Sequence, residues 1–179
     1  MTVSPRISEE ELRATRINTQ LAFAREFSRA GLYEQALEAF NRAIELDPAE
    51  VRALAGKSLA LTRLGLFGEA LSAAEEIFLH EVNSPRAYAA RGVCYQAMGF
   101  PYEAREAFEQ SIFFGPDVAE TNYDFARYWA TRREPEKCRE RLAYALALEP
   151  ELAVVAATVD DLKPYRTRKW FLELVSASK

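Results

Sequence analysis

Small and large residues recur along this chain at a fixed separation. Glycine followed five residues later by alanine occurs as Gly31/Ala36, Gly65/Ala70 and Gly99/Ala104, each pair 34 residues after the one before. Carrying that frame in both directions gives four gapless blocks, 17–50, 51–84, 85–118 and 119–152. The eighth place of a block is always small: Ala24, Ser58, Gly92 and Ala126. The eleventh is always large, Phe27, Leu61, Tyr95 and Trp129, and the twentieth is small again, Ala36, Ala70, Ala104 and Cys138. Phe40, Ala74, Phe108 and Leu142 share the twenty-fourth place. Two closely packed helices need this alternation, with small side chains where the backbones approach and large ones filling the grooves beside them. Each block therefore predicts a helix, a tight turn at the glycine and a second helix. Pro101 and Pro135 fall where second helices begin, a position that has no use for the missing N–H. Pro48, Pro116 and Pro150 lie where the chain leaves a second helix, and Val82 holds that place in the second block. A hairpin of this kind cannot bury its own faces, so neighbours must stack into one core.

This period and this small/large pattern resemble the tetratricopeptide repeat family, over about three quarters of the chain. The resemblance implies an all-α, right-handed superhelical solenoid of helix-turn-helix hairpins. Its departures are local. Lys57 replaces a large apolar residue and Ala74 an aromatic one, which predicts a looser second hairpin. Arg133 replaces the turn glycine, and if that residue stays left-handed the substitution costs about 1 kcal/mol. Ser8 and Glu11 have the spacing of a capping box, so the first helix is expected to start near Glu9 and run to about Ala30, making residues 1–16 a leader. Residues 153–179 are expected to cap the other end of the array. There the apolar run Leu152 to Val159 is broken by Asp160, Asp161 and Pro164, and an amphipathic stretch follows with Trp170, Phe171, Leu174 and Val175.

Composition agrees with an all-helical reading. The 179 residues include 30 alanines and 19 leucines against only 14 valines and isoleucines together, a balance that favours helix over sheet. No apolar run is long enough for a transmembrane helix, and residues 1–10 lack the features of a secretory signal, so a cytoplasmic location is expected. Cys94 and Cys138 are too few and too far apart for a disulfide framework or a metal knuckle and are expected to be buried fillers. His80 is the only histidine, and the sequence has no phosphate loop, nucleophile elbow or zinc helix. Adjacent Asp160 and Asp161 would point to different faces of a helix and are expected to begin a turn. The expectation is a protein with no enzymatic activity, no metal and no cofactor.

Charge is distributed unevenly within each block. The first helices carry nine basic against three acidic side chains, a net +6, while the remainder of the blocks after the turn sums to −13 within a total of −4. In the resembled family first helices line the concave side, which implies a basic groove inside an acidic shell. The places that would face it hold Leu21 and Arg25, then Arg52, Leu59 and Arg63, then Arg86 and Val93, then Tyr123 and Arg127. Arginines offer forked donors to carboxylates, and the apolar members supply contact area. Some family members hold a C-terminal carboxylate in a Lys/Asn clamp. The matching places here are Leu21, Arg25, Gly56, Arg86 and Ala90, of which only Arg86 fits, so heat-shock chaperone docking is disfavoured. Nucleic acid is disfavoured as well, because the chain is acidic overall and the groove lacks a stacking series of aromatics. The expected function is a scaffold or adaptor that binds a peptide or partner protein, acidic in character, as a monomer or weak homo-oligomer. Alternatives are a secretion-type chaperone, for which Gly92 to Gly99 resembles the middle repeat, and a self-assembling structural subunit. The latter is suggested by Leu79 and Phe113, apolar residues late in second helices whose other explanation is burial between repeats.

Overall fold

The structure, a computed structural model, describes residues 8–177. Among the described residues the chain forms α1 (Glu9–Arg29), α2 (Tyr33–Leu46), α3 (Val51–Arg63), α4 (Phe67–His80), α5 (Pro85–Met98), α6 (Pro101–Phe114), α7 (Ala119–Thr131) and α8 (Pro135–Leu148). A short α9 (Leu152–Ala156), a 3-10 helix (Asp160–Tyr165) and α10 (Lys169–Ala177) complete it, with no strand among the described residues. Consecutive helices pair as hairpins, α1 with α2, α3 with α4, α5 with α6 and α7 with α8. The second helix of each pair starts at Tyr33, Phe67, Pro101 or Pro135, at the 34-residue interval of the sequence pattern.

The ends of these helices are set by local chemistry. Ser8 caps α1: its hydroxyl accepts from the Glu11 N–H at 3.1 Å, while the Glu11 carboxylate accepts from the Ser8 N–H at 2.8 Å. The bonds that the Glu11 carboxylate accepts, first from the Ser8 N–H and then from the Ser8 hydroxyl at 3.0 Å, hold its carboxyl below the usual range. Each hairpin turn uses one residue in the left-handed region: Gly31 at φ 75°, Gly65 at 78°, Gly99 at 84° and Arg133 at 58°. The next N–H then reaches back to close the first helix, from Leu32 to the Phe27 carbonyl, Leu66 to Leu61, Phe100 to Tyr95 and Glu134 to Trp129, at 2.9–3.0 Å. This is the six-to-one closure that a left-handed residue makes possible, and it satisfies a carbonyl the helix would otherwise leave bare. Arg133 keeps the same geometry without glycine's freedom.

By its internal contacts the chain divides at His80/Glu81 into two compact units. The division falls in the block that lacks the closing proline, where Asn83 is left-handed at φ 62°. In the first unit Ile17, Leu21, Ala24, Ala36, Phe40 and Ala43 are buried together with Ala53 and Ala60 of α3. Phe40 lies over Gly56 so closely that a Cβ there would sit 2.2 Å from the ring, so α2 and α3 approach as only glycine allows. In the second unit Phe108 of α6 stacks on Phe125 of α7 at 5.3 Å and tilts against Tyr128 at 5.5 Å. Buried Asn122 donates to the carbonyls of Pro116 and Val118, at 2.7 and 2.9 Å, and so fixes the chain that leads into α7. The 3-10 helix packs on α7, α9 and α10 pack on α8, and Phe171 of α10 is buried while Trp170 lies against Tyr165.

Two substitutions test this account. Arg133→Gly should raise the unfolding free energy by about 0.5–1 kcal/mol, because the native φ suits glycine and strains any other residue. Ala104→Leu should lower it by about 1–3 kcal/mol, because Ala104 is fully buried where α5 and α6 approach. Urea titration followed by circular dichroism measures both.

Candidate partner-binding surfaces

The nine residues singled out by the sequence fall into different environments. In the first unit, the Arg52 guanidinium donates to the Asn18 side-chain carbonyl at 3.3 Å. These residues are 34 apart and share a block place, so α1 and α3 lie with equal places side by side. On this face Arg25 and Arg63 are exposed, Leu59 is half-buried and Leu21 is buried at 3 % exposure. Arg52 is held by Glu50 through two parallel bonds of 2.8 and 2.7 Å, while the same carboxylate accepts from the Arg52 N–H and caps α3. Its charge is matched locally.

In the second unit, three of the nine lie largely inside the packing. Val93, Tyr123 and Arg127 are buried, each less than one-tenth exposed. Arg127 donates to Asp161 of the 3-10 helix from Nε at 2.9 Å and Nη2 at 2.6 Å, and from Nη1 to Asp124 at 3.2 Å, with the Tyr123 ring 5.9 Å from its guanidinium carbon. Burial alone would push the guanidinium pKa down. The flanking Asp124 and Asp161 carboxylates outweigh it and hold Arg127 above its ordinary value. Asp161 follows Arg127 by 34 residues, so the 3-10 helix sits against α7 as the first helix of a following hairpin would. Residues 153–177 thus pack on α7 and α8 within the second unit. Arg86 is matched too: it donates to Glu120, again 34 residues on, at 3.3 Å. The sequence sum counted these charges helix by helix. The period itself was the signal that paired them.

Other expectations resolve simply. Leu79 and Phe113 are exposed at 82 % and 78 %, which overturns burial between repeats as their explanation. Phe113 meets Phe114 edge-on, and Phe114 in turn stacks on Tyr88. Cys94 and Cys138 are both buried, and burial pushes the Cys138 thiol up to about 12. His80 ends α4 in an exposed position. Among the described residues no group of three or more His, Cys, Asp or Glu is placed to hold a metal ion, and no helix is long and apolar enough to cross a membrane. Sequence reasoning missed one surface, the outer side of α1 and α2. Two adjoining hollows of about 380 and 280 Å³ run there between the helices, sharing Gln20 and Arg42 and lined at one end by Phe23 and Phe27.

Comparison with known proteins bears on the fold. The family model of the tetratricopeptide repeat matches residues 17–50. Among solved structures, a thermophilic tetratricopeptide repeat protein of Thermus thermophilus is 22 % identical with a TM-score of 0.62, covering 90 % of this chain and 87 % of that one. The first tetratricopeptide repeat domain of human RPAP3 is 19 % identical with a TM-score of 0.53, covering 74 % and 96 %. The second domain of the same human protein, solved with the HSP70 peptide SGPTIEEVD, is 22 % identical with a TM-score of 0.51, covering 65 % and 97 %. No curated protein sequence matches the chain. Together the repeat at 17–50 and the likeness of fold agree with the hairpins described above.

The Arg127 network can be broken from one side. Asp161→Ala should cost about 2 kcal/mol, below the roughly 3–5 kcal/mol of a disrupted, fully buried pair, because Asp161 is partly exposed and Asp124 still faces the guanidinium. Limited proteolysis should then cut residues 153–177 faster than in the wild type, and thermal unfolding should give the energy.

Proposed function

We propose that this tetratricopeptide repeat protein is a non-catalytic scaffold or adaptor, and that it binds an acidic peptide or partner segment on the α1/α3 face of its first unit. The observation that carries this reading is the register of those two helices. With Asn18 against Arg52, the shared frame sets Arg25 beside Leu59 and Arg29 beside Arg63. An exposed guanidinium offers forked donors to a carboxylate, Leu59 offers apolar area, and Ala55 and Gly56 let a ligand backbone come close. The site is narrower than the groove implied by the sequence, since Val93, Tyr123 and Arg127 are buried. Within the same proposal the hairpins are four repeats, 17–50, 51–84, 85–118 and 119–152, with 1–16 as leader and 153–179 as cap.

A fold relative solved with a peptide ending Glu-Glu-Val-Asp supports an acidic ligand as a class. The clamp places Leu21, Gly56 and Ala90 lack the polar groups that grip a terminal carboxylate, so the chemistry here favours acidic side chains within a segment over its free end. Reversing Arg25 and Arg63 together, Arg25→Glu with Arg63→Glu, should weaken binding of labelled acidic peptides at least tenfold, about 1.4 kcal/mol, by fluorescence anisotropy. The unfolding midpoint should barely move, since both residues are exposed. Added salt should weaken the wild type in the same direction. Glu69→Lys on the exposed side of α4 is the control. If it abolishes binding while the arginine pair does not, the ligand sits on the second helices.

A further inference from the structure

Phe23 occupies the seventh place of its block, a place held by Phe125 in the fourth. In the second unit Phe125 is buried, 5 % exposed, with its ring stacked on Phe108 of the preceding hairpin. The seventh place is therefore where a hairpin meets the one before it. α1 is the first described helix, and Phe23 on it is 53 % exposed, as is Leu12 about three turns earlier. Phe27, one turn on, is half-buried. The hollows along α1 and α2 join Phe23 and Phe27 to Arg16 and Arg42 and to Glu38 and Glu45.

We infer that this outer face of α1 and α2 is the contact surface of a two-fold homodimer, with α1 packed antiparallel on the same helix of a second copy. Three features favour a second copy as occupant. The face is charge-balanced, two arginines against two glutamates, so it offers no field to a partner of strong net charge, whereas a copy turned end for end presents both signs to both signs. The stripe on α1 is also self-complementary. Centred between Thr19 and Gln20, an antiparallel pair sets Leu12 opposite the partner's Phe27 and Arg16 over the partner's Phe23. Apolar meets apolar, and a guanidinium meets a ring face. Third, the area is of the right order. A helix of 21 residues is about 31 Å long. Two helices side by side then cover on the order of 600 Å² per copy, at the low end of specific interfaces, so the dimer should be reversible and dependent on concentration. Phe23 and Arg25 lie about 200° apart around α1, so this surface is separate from the proposed ligand face and stands or falls without it.

Sedimentation equilibrium of the full chain from about 1 to 200 µM tests the inference. The wild type should pass from monomer to dimer with no larger species. Phe23→Glu should stay monomeric throughout with an unchanged circular dichroism spectrum, since the side chain it replaces is exposed. As a second readout, Thr19→Cys places thiols beside the two-fold axis and should give a covalent dimer with oxidised glutathione, while Ser72→Cys on the exposed side of α4 should not. The native thiols are buried and do not compete. A wild type that remains monomeric overturns the inference, as does a dimer indifferent to Phe23→Glu. An open-ended polymer lost in Phe23→Glu also overturns it, because a two-fold contact closes on itself.

Discussion

Close backbone approach inside each hairpin is the constraint on which the rest depends. Ala24 and Ala36, Ser58 and Ala70, Gly92 and Ala104, Ala126 and Cys138 are all buried and small, and they bring the two helices of a pair near enough for the large residues beside them to interlock. Where a polar atom falls at this contact it is satisfied within it. The Ser58 hydroxyl donates to the Ala70 carbonyl at 2.7 Å, which removes the cost of burying it. The left-handed turn is the other half of the device, because it reverses the chain within three residues and sends the second helix back at the required distance. Once both are fixed, the block length fixes the stacking register, and side chains 34 residues apart become neighbours.

Much of this was legible in the sequence because it is local or strictly periodic. The capping box at Ser8, the prolines opening α6 and α8, and the turn residues each carry their own signature within a few positions. At Arg133 the frame marked the turn position and left its handedness open, and the structure gives a left-handed residue at φ 58°.

The candidate site was less legible, for a physical reason. Whether an arginine is available to a ligand depends on what lies across from it, and a sum over helices does not contain that. Arg52 is matched by the glutamate that caps its own helix, Arg86 by a first-helix glutamate one block on, and Arg127 by an aspartate in a segment that departs from the α-helical hairpin pattern. That last departure hid the partner: a five-residue helix followed by a 3-10 turn does not look like a repeat, yet it keeps the spacing of one. Exposed Phe23 was missed for the converse reason. Its block place reads as interior, and only the absence of a preceding hairpin among the described residues turns it to solvent.

The positions of the two tryptophans have a practical consequence. Trp129 is buried in α7 and Trp170 lies against Tyr165 in the closing segment, so both belong to the second unit and the first has none. Intrinsic indole emission from this protein is thus a local probe, blind to events in α1 through α4. Far-ultraviolet ellipticity weights both units by their helical content. Denaturation curves followed by the two signals will superimpose only when the units melt as one, and any gap between them measures how independently the first unit opens.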